Sequence, residues 1–390
     1  MHTILHVSGD FPDPFAPAKT RAIQSLVDLT ADRFDHHVIS INRGSVGVFG
    51  TLREILLPTP MVLSEAPFGY GSAIRYTAPG KGLRHRTKLV QLGEWLAGKI
   101  ATMPRRPDLI VGHKLTIEGI AVRRAAQMTG IPYGLSIQGN TDTKVLNAHP
   151  GLADELRAVL HGAKVIFPFA PWAWQRITAK LGAPPAVPIM LPCATDLDQP
   201  LQPRIGDGGL ICVFHLSGYR HKNLAGMVRA VKALEKRGRA PTLTILGGGD
   251  ADVHARCAAM IARTPTITLA GAKDREQVRE AMNRSVALVL PSLRETFGMV
   301  FVEALFAGLP IIYPRGAGVD GYFDGAPFAL PVNARDHRSI AAAMDHAIAR
   351  EREIKEALER WQGSDAIRIF QRDRIAERFA AGLVAAINSP

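Results

Sequence analysis

The sequence of 390 residues predicts an α/β protein in which helices cover both faces of two doubly wound parallel sheets. One observation is that short apolar runs alternate with amphipathic helical patterns along the chain. The other is a proline- and glycine-rich stretch at 181–209, which suits neither a long helix nor a central strand and divides the runs into two series. We therefore expect two Rossmann-like domains that face a cleft.

The apolar runs locate the strands, because buried parallel strands read as nearly continuous stretches of Val, Ile and Leu. The first series predicts strands at Thr3–Val7, His37–Ile41, Asp108–Val111, Gly134–Ile137 and Lys164–Phe167. The second series predicts strands at Leu210–Phe214, Thr242–Leu246, Thr266–Leu269, Ala287–Leu290 and Pro310–Tyr313. A last helical pattern runs from Ser364 to Ile387. The expected domains are 1–200 and 201–363.

Composition excludes several classes of protein. A hydrophobic share of 47% and a charged share of 21% are typical of a folded, water-soluble chain and argue against disorder. The longest apolar segment, 298–314, contains a glutamate, a glycine and a proline, so it does not read as a membrane span. The N-terminal apolar stretch is too short for a signal peptide. Three distant cysteines predict neither a disulfide framework nor a zinc site, and a cytoplasmic location is expected: Cys193, Cys212 and Cys257.

The net charge of +12 calls for an anionic partner. The segment from Gly71 to Arg124 contains eleven basic residues and three acidic ones. Between Arg75 and Ile100 the basic residues alternate with leucines and a tryptophan. This composition predicts a basic amphipathic helix that lies on anionic lipid, through residues 75–106. The alternative is the solvated face of a helix packed on the core. Nucleic acid is not expected, because no nucleic-acid-binding motif is present.

The stretch 287–312 predicts an anion site. A buried strand leads into a loop, and a helix follows from Thr296 or Gly298. The backbone N–H groups of Phe297, Gly298 and Met299, together with the positive end of the helix dipole, suit a phosphate.

Two carboxylates accompany this anion site. Glu295 lies in the loop and Glu303 in the helix, and both could face one cleft at different depths. Carboxylates accept hydrogen bonds from sugar hydroxyls, so the pair suits a ligand with phosphate and polyol parts. The alternative is a solvated loop residue and an ordinary helix charge, although the flanks of Glu303 are uniformly apolar and a buried carboxylate needs partners.

Two further loops follow strands of the second series. Arg220 and Lys222 precede a helix, where they could meet a diphosphate. The turn GGGD at 247–250 permits close approach of the backbone. Each signal is weak alone, but all of these loops are expected at the same edge of one sheet.

The E-x7-E motif ETFGMVFVE, at 295–303, resembles that of the retaining glycosyltransferases of family 4, which have the GT-B fold. Lys222–Asn223, the GGGD turn and LPCATD at 191–196 support the resemblance. It implies transfer of a sugar from a nucleotide-diphosphate sugar to an acceptor hydroxyl with retention of configuration, without a metal or another cofactor. It also implies that the final segment, 364–390, crosses back to the first domain.

The resemblance assigns roles to single residues. It implies that Glu303 binds ribose hydroxyls, Glu295 lies near the donor sugar and Lys222 holds the diphosphate. Ser217 stands where the family usually has an arginine, and Arg220 is the candidate substitute. The catalytic candidates are Glu295, Lys222 and His113; the other donor-binding candidates are Arg220, Asn223, Gly247, Gly248, Phe297, Gly298, Met299 and Glu303; the acceptor-side candidates are Lys19, Arg21 and Gln138, the last in place of the family's histidine.

The expected partners are a nucleotide sugar and a glycan, glycolipid or lipid-linked saccharide acceptor, as in polysaccharide biosynthesis. The expected location is the cytoplasm, with peripheral contact at the inner face of the membrane. Two alternatives stay open: a nucleotide-sugar epimerase of GT-B-like fold, and a non-catalytic relative that binds saccharide or membrane.

Overall fold

The structure is a computed structural model, and it describes residues 1–45, 47, 63–79 and 84–389. The chain divides into two compact units. Unit 1 comprises Met1–Phe169, Ala173–Ala194 and Asp373–Pro390, and unit 2 comprises Ala170–Trp172 and Thr195–Arg372. Each unit has one sheet whose strands are parallel, with a single exception in unit 1, so the α/β class and the two-sheet architecture agree with the sequence prediction.

Within the described ranges, the sheet of unit 1 has seven strands. They are β1 (His2–Ser8), β2 (Phe34–Ser45), β3 (Leu63–Phe68), β4 (Gly71–Ala78), β5 (Leu109–Gly112), β6 (Tyr133–Ile137) and β7 (Val165–Pro168). Their spatial order is β3-β4-β2-β1-β5-β6-β7, and β3 runs antiparallel to β4 while the other neighbouring strands of these seven are parallel. The order reverses direction between β1 and β5. Ligands of open α/β sheets bind at the carboxyl ends of strands on either side of such a reversal.

Helices cover this sheet and bury an apolar face against it. They are α1 (Ala22–Asp28), α2 (His85–Ala101), α3 (Glu118–Thr129), α4 (Asn140–Ala148), α5 (Ala153–His161), α6 (Pro171–Leu181) and α13 (Arg372–Ile387). In α13, the ring of Phe379 packs on Phe167 with centroids 5.0 Å apart. Gly382 permits this approach, because a Cβ there would lie 2.6 Å from the Phe167 ring. The last helix therefore belongs to the packing of unit 1.

The sheet of unit 2 has six strands, all parallel. They are β8 (Leu210–Val213), β9 (Leu243–Leu246), β10 (Ile267–Leu269), β11 (Ala287–Val289), β12 (Ile311–Pro314) and β13 (Ala329–Val332). The order is β10-β9-β8-β11-β12-β13, so the direction reverses between β8 and β11. The covering helices are α7 (Leu224–Glu235), α8 (Ala251–Ile261), α9 (Arg275–Asn283), α10 (Met299–Phe306), α11 (His337–Ala349) and α12 (Glu351–Gln362).

The basic segment differs from its prediction as one amphipathic helix. Arg75 lies in strand β4, and α2 begins only at His85. Lys81 lies outside the described residues. The apolar side chains of α2 are buried within unit 1 and are not free to lie on lipid: Leu89, Leu92, Leu96 and Ile100. The alternative of a solvated face on a core helix fits this arrangement. Across the described ranges, no helix has both the length and the hydropathy to span a bilayer.

Candidate functional site

The reversal of strand order in unit 2 brings two sequence-predicted residues together. Lys222 follows β8 and Glu295 follows β11, and these two strands are neighbours. The Nζ atom of Lys222 lies 2.5 Å from Oε2 of Glu295, and Ser292 Oγ donates to the same oxygen over 3.1 Å. Lys222 and Glu295 keep a quarter and a tenth of their side-chain surface exposed. The ion pair is therefore accessible at the carboxyl edge of the sheet.

Asn223 fixes the loop that presents Lys222. It adopts a left-handed conformation with φ of 65° and caps α7, because its Oδ1 accepts from the N–H of Gly226. Its Nδ2 donates to the backbone oxygens of Pro291 and Ala334 at 3.0 and 2.7 Å. The buried amide thus ties three loops of unit 2 together. In this arrangement Asn223 positions its neighbour Lys222 and has no free amide hydrogen to offer a ligand.

The glycine turn after β9 is packed against the loop after β8. A Cβ on Gly247 would lie 1.8 Å from the backbone oxygen of Phe214, so only glycine fits there. Gly248 accepts a hydrogen bond from the N–H of Leu216 over 2.8 Å, and its own Cβ position is 3.3 Å from Ala272. These contacts hold the loop after β8 and the turn after β9 against each other at the carboxyl edge of the sheet.

Gly298 allows the Glu295 loop to fold onto the start of α10. Its φ is 76°, and a Cβ would lie 2.6 Å from the ring of Phe301 and 3.0 Å from Cγ of Glu295. Met299 begins the helix, and the first N–H groups of a helix have no intrahelical acceptor. The side chain of Phe297 is buried and faces the Tyr322 ring. Phe297, Gly298 and Met299 could therefore contribute backbone groups to an anion site.

Glu303 lines a cavity of about 220 Å³ in unit 2. Burial, and then the neighbouring Asp196 carboxylate, raise the pKa of Glu303, while Arg275 opposes them. Arg275 lies 2.6 Å from Asp196, and Arg372 lies 3.6 Å from its other oxygen. The remaining lining combines two cations with apolar side chains: Lys273, Arg279, Leu197, Val278 and Met282. The cavity can take a ligand that offers hydroxyls to a carboxylate and an apolar face to Val278 and Met282.

Sequence reasoning missed most of this lining. Asp196 entered only as the end of a segment, and Lys273 and Arg275 were not considered. Lys273 lies in the loop after β10, at the same edge as Lys222 and Glu295, so a search of the loop after every strand could have found it.

Arg220 contacts Tyr219 and forms no ion pair with Glu295 among the described residues. Its side chain is exposed, its Nε donates to Tyr219 Oη over 3.0 Å, and its guanidinium lies 5.5 Å from the Tyr219 ring. Ser217, at the position of the family's arginine, shares a hydrogen bond with His215. Nothing in this loop places a second cation beside Glu295 in the way that Lys222 is placed.

The acceptor-side candidates occupy three different environments in unit 1. The Nζ of Lys19 donates to Asp13 Oδ2, Ser40 Oγ and the backbone oxygen of Ile41, which uses all three of its hydrogens. Burial alone would raise the pKa of Asp13, but hydrogen bonds from Lys19, Ser40 and Asn42 lower it to about 2. Arg21 is exposed at the start of α1, and Gln138 is buried after β6.

His113 lies in a buried chain of hydrogen-bonded side chains. Its Nε2 is 3.0 Å from His6 Nδ1 and its Nδ1 is 3.1 Å from Ser136 Oγ. His6 Nε2 contacts His36, which in turn contacts Thr30. The Thr30 hydroxyl donates to a backbone oxygen, so each ring donates through Nε2 and accepts at Nδ1. A contact between His113 and a substrate would require this chain to open.

The histidine chain makes stability depend on pH. Burial, then the charges of Lys114 and His36, lower the pKa of His113 to about 3. In the unfolded chain the ring has a pKa near 6.5 and binds a proton below that pH, while the folded ring does not. The unfolding free energy therefore decreases as the pH is lowered below 6.5, and the slope for this ring approaches about 1.4 kcal/mol per pH unit. In urea unfolding between pH 6 and 5, His113→Gln should show a slope shallower by about 1 kcal/mol per pH unit; equal slopes would contradict the prediction.

The comparisons with known proteins give similarities over the part of the chain that contains Lys222, Glu295 and Glu303. Residues 202–362 match the family model "Glycosyl transferases group 1". A 2-deoxystreptamine glucosyltransferase from Streptomyces kanamyceticus is 28% identical over 320 residues, which cover 72% of this chain and 78% of that protein.

Solved structures resemble the whole chain in fold. Sucrose-phosphate synthase from Thermosynechococcus elongatus matches with a TM-score of 0.68 at 18% identity, covering 98% of both chains. A glycosyltransferase from Rickettsia africae matches with a TM-score of 0.65 at 14% identity over 100% of this chain and 99% of that one. An Anabaena protein in complex with UDP and glucose matches with a TM-score of 0.61 at 15% identity over 98% and 100%. Residues 202–362 are therefore similar to group 1 glycosyltransferases, and the chain as a whole has the GT-B fold of these structures.

Proposed function

We propose that the protein transfers a sugar from a nucleotide-diphosphate sugar to an acceptor hydroxyl, with retention of configuration and without a metal ion. The observation that carries this proposal is the Lys222–Glu295 pair beside the start of α10. An ammonium group and a helix N-terminus at one place suit a diphosphate. Both groups stabilise the negative charge that grows on the leaving diphosphate as the sugar bond breaks.

Glu303 would hold the nucleoside part of the donor. Its carboxylate lines the cavity beside Asp196 and Arg275, where it can accept hydrogen bonds from the two ribose hydroxyls. The apolar lining from Val278 and Met282 would contact the base. Because Arg275 and Arg372 neutralise Asp196, Glu303 is the carboxylate best able to accept these bonds.

Retention follows if the acceptor attacks from the face that the diphosphate leaves. In that mechanism the departing phosphate oxygen takes the acceptor proton, and no nucleophile from the protein is needed. The protein contributes position and charge. Glu295, held by Lys222 and Ser292, would accept a hydrogen bond from the donor sugar. The acceptor, a saccharide or lipid-linked saccharide, would bind unit 1.

The test is donor binding and turnover by the purified chain. UDP-glucose is the first donor to try, because UDP and glucose occupy one structural neighbour and a curated relative is named as a glucosyltransferase. We expect UDP-glucose to raise the melting temperature. Glu303→Ala should weaken donor affinity about 10- to 100-fold, because hydrogen bonds to a charged group contribute about 1.5–3 kcal/mol. Glu280→Ala, on an exposed position of α9, serves as control; equal donor affinity in both variants would contradict the role of Glu303.

A further inference from the structure

The reversal of strand order in unit 1 carries a second charged pair. Asp10 follows β1 and Lys114 follows β5, and these strands are neighbours. Lys114 Nζ lies 2.7 Å from Asp10 Oδ1. Ligands of such sheets bind at this edge, and the donor contacts proposed for unit 2 do not include this pair. The Asp10 side chain is 27% exposed, so a ligand can reach it from solvent.

Two fully buried carboxyl groups lie behind this pair. Glu118 begins α3, and its Oε1 accepts from the N–H of Gly9 over 2.6 Å. Asp142 lies in α4, and its Oδ1 accepts from the N–H and the hydroxyl of Thr116. The second oxygen of each carboxyl group has no hydrogen-bond partner among the described residues. We call this group the acidic cluster; its three carboxyl groups and one ammonium group belong to Asp10, Glu118, Asp142 and Lys114.

The acidic cluster has more acidic groups than basic ones. Burial raises the pKa of Glu118 to about 7; Lys114 and the N–H of Gly9 oppose this, and Asp10 reinforces it. Burial also raises the pKa of Asp142, in spite of its bonds to Thr116.

The neighbours of the cluster do not supply the missing charge. Burial would lower the pKa of Lys114, but Glu118, Asp10 and Asp142 together raise it. Tyr76, whose pKa burial and Glu118 raise to about 12, also faces Glu118 and is neutral near pH 7. Buried carboxylates are normally paired with cations, and within the described part of unit 1 the ammonium group of Lys114 is the cation that acts on all three.

We propose that the acidic cluster binds the ammonium group of an amine-bearing sugar or cyclitol, which would be the acceptor in the proposed transfer. A primary ammonium group offers three donors and a positive charge; the exposed carboxylate of Asp10 offers acceptors, and the buried carboxyl groups of Glu118 and Asp142 attract the charge from behind it. Gly9 packs on the cluster: a Cβ there would be 3.2 Å from Glu118 Oε1 and 3.6 Å from Lys114 Nζ. A hydroxyl in place of the amine would bring no charge, so the site should select the amine.

Calorimetric titration of the full chain with three probes tests this selection. D-glucosamine should bind about tenfold or more tightly than D-glucose and N-acetyl-D-glucosamine, because only glucosamine carries the charged amine. Asp10→Asn should remove this preference. Equal affinities for the three sugars, no measurable binding of glucosamine, or an unaltered preference in Asp10→Asn would each overturn the proposal.

The number of protons released on binding distinguishes a ligand site from a cluster with a purely structural role. Because the pKa of Glu118 is about 7, this group is partly protonated at neutral pH; a bound ammonium group favours its ionised form, so binding should release a fraction of a proton. Titration in buffers of different ionisation enthalpy measures this release. Glu118→Gln should abolish it, whereas release that is absent in the wild type or unchanged in the variant would contradict the role of Glu118.

Donor binding provides an independent readout. This inference rests on the proposed function in one respect: it takes the amine-bearing molecule to be the acceptor of the sugar. If UDP-glucose and other nucleotide sugars failed to bind while glucosamine selectivity persisted, the transfer activity would be contradicted and the amine site supported.

Discussion

Replacement of Lys222 by alanine should lower kcat/KM for sugar transfer at least about 100-fold, the loss found when one well-placed group that stabilises transition-state charge is removed. Lys222 lies at the reversal of strand order, 2.5 Å from Glu295 and beside the start of α10. Without it, the leaving diphosphate would meet the negative charge of Glu295 with only the helix dipole to oppose it. The measurement is steady-state kinetics with the donor identified by thermal shift.

Two variants show whether the loss comes from the diphosphate site. Lys236→Ala removes an exposed lysine at the C-terminal end of α7, the helix that follows Lys222, and should leave turnover unchanged. Lys222→Arg keeps the charge and should recover part of the activity, because a guanidinium group also binds phosphate. Wild-type turnover in Lys222→Ala would rule out the proposed role of this residue.

Gly247→Ala should destabilise unit 2 by about 3 kcal/mol or more, because a substitution that forces the backbone to move is among the few single changes with so large an effect. The added Cβ would lie 1.8 Å from the Phe214 oxygen, and β8 and the loop that carries Lys222 would have to shift. Urea unfolding, followed by amide exchange in β8 and β9, measures this loss.

Gly248→Ala is the matched control. Its Cβ would be 3.3 Å from the methyl group of Ala272, which can give way by a small movement. We expect a change within about 1 kcal/mol for this variant. Equal stability of Gly247→Ala and the wild type would show that the two loops are not packed as described.

Most of the strands that sequence reasoning located are buried and parallel, and β10, a partly exposed edge strand, is the exception. All ten predicted strands are present, with ends shifted by up to a few residues, because buried parallel strands read as apolar runs. The strands it missed are peripheral: β3 is largely exposed, β4 adjoins it, and β13 contains Pro331. Half-exposed strands at or near the edge of a sheet lack the continuous apolar run, and proline is tolerated there.

The sequence predicts those residues of the candidate site that lie in a loop directly after a strand. Lys222 and Glu295 each follow a strand, and the rule for doubly wound sheets brings such loops together. The cavity around Glu303 was not, because Asp196 and Arg275 reach it from distant parts of the chain. Sequence also shows that Lys19 and Asn223 are polar, but not that their hydrogens are already engaged.

The histidine chain of unit 1 has a consequence for the pairing of strands. Parallel strands have no hairpin to fix their alignment, and apolar runs can slide past one another with little loss of burial. His36, His6 and Ser136 lie on β2, β1 and β6, and His113 directly follows β5. A shift of β1 by one residue would turn His6 to the opposite face and leave ring nitrogens of its neighbours buried without partners. The hydrogen bonds between the three histidine rings therefore fix the register of these strands, because an alignment shifted by one residue would lose them.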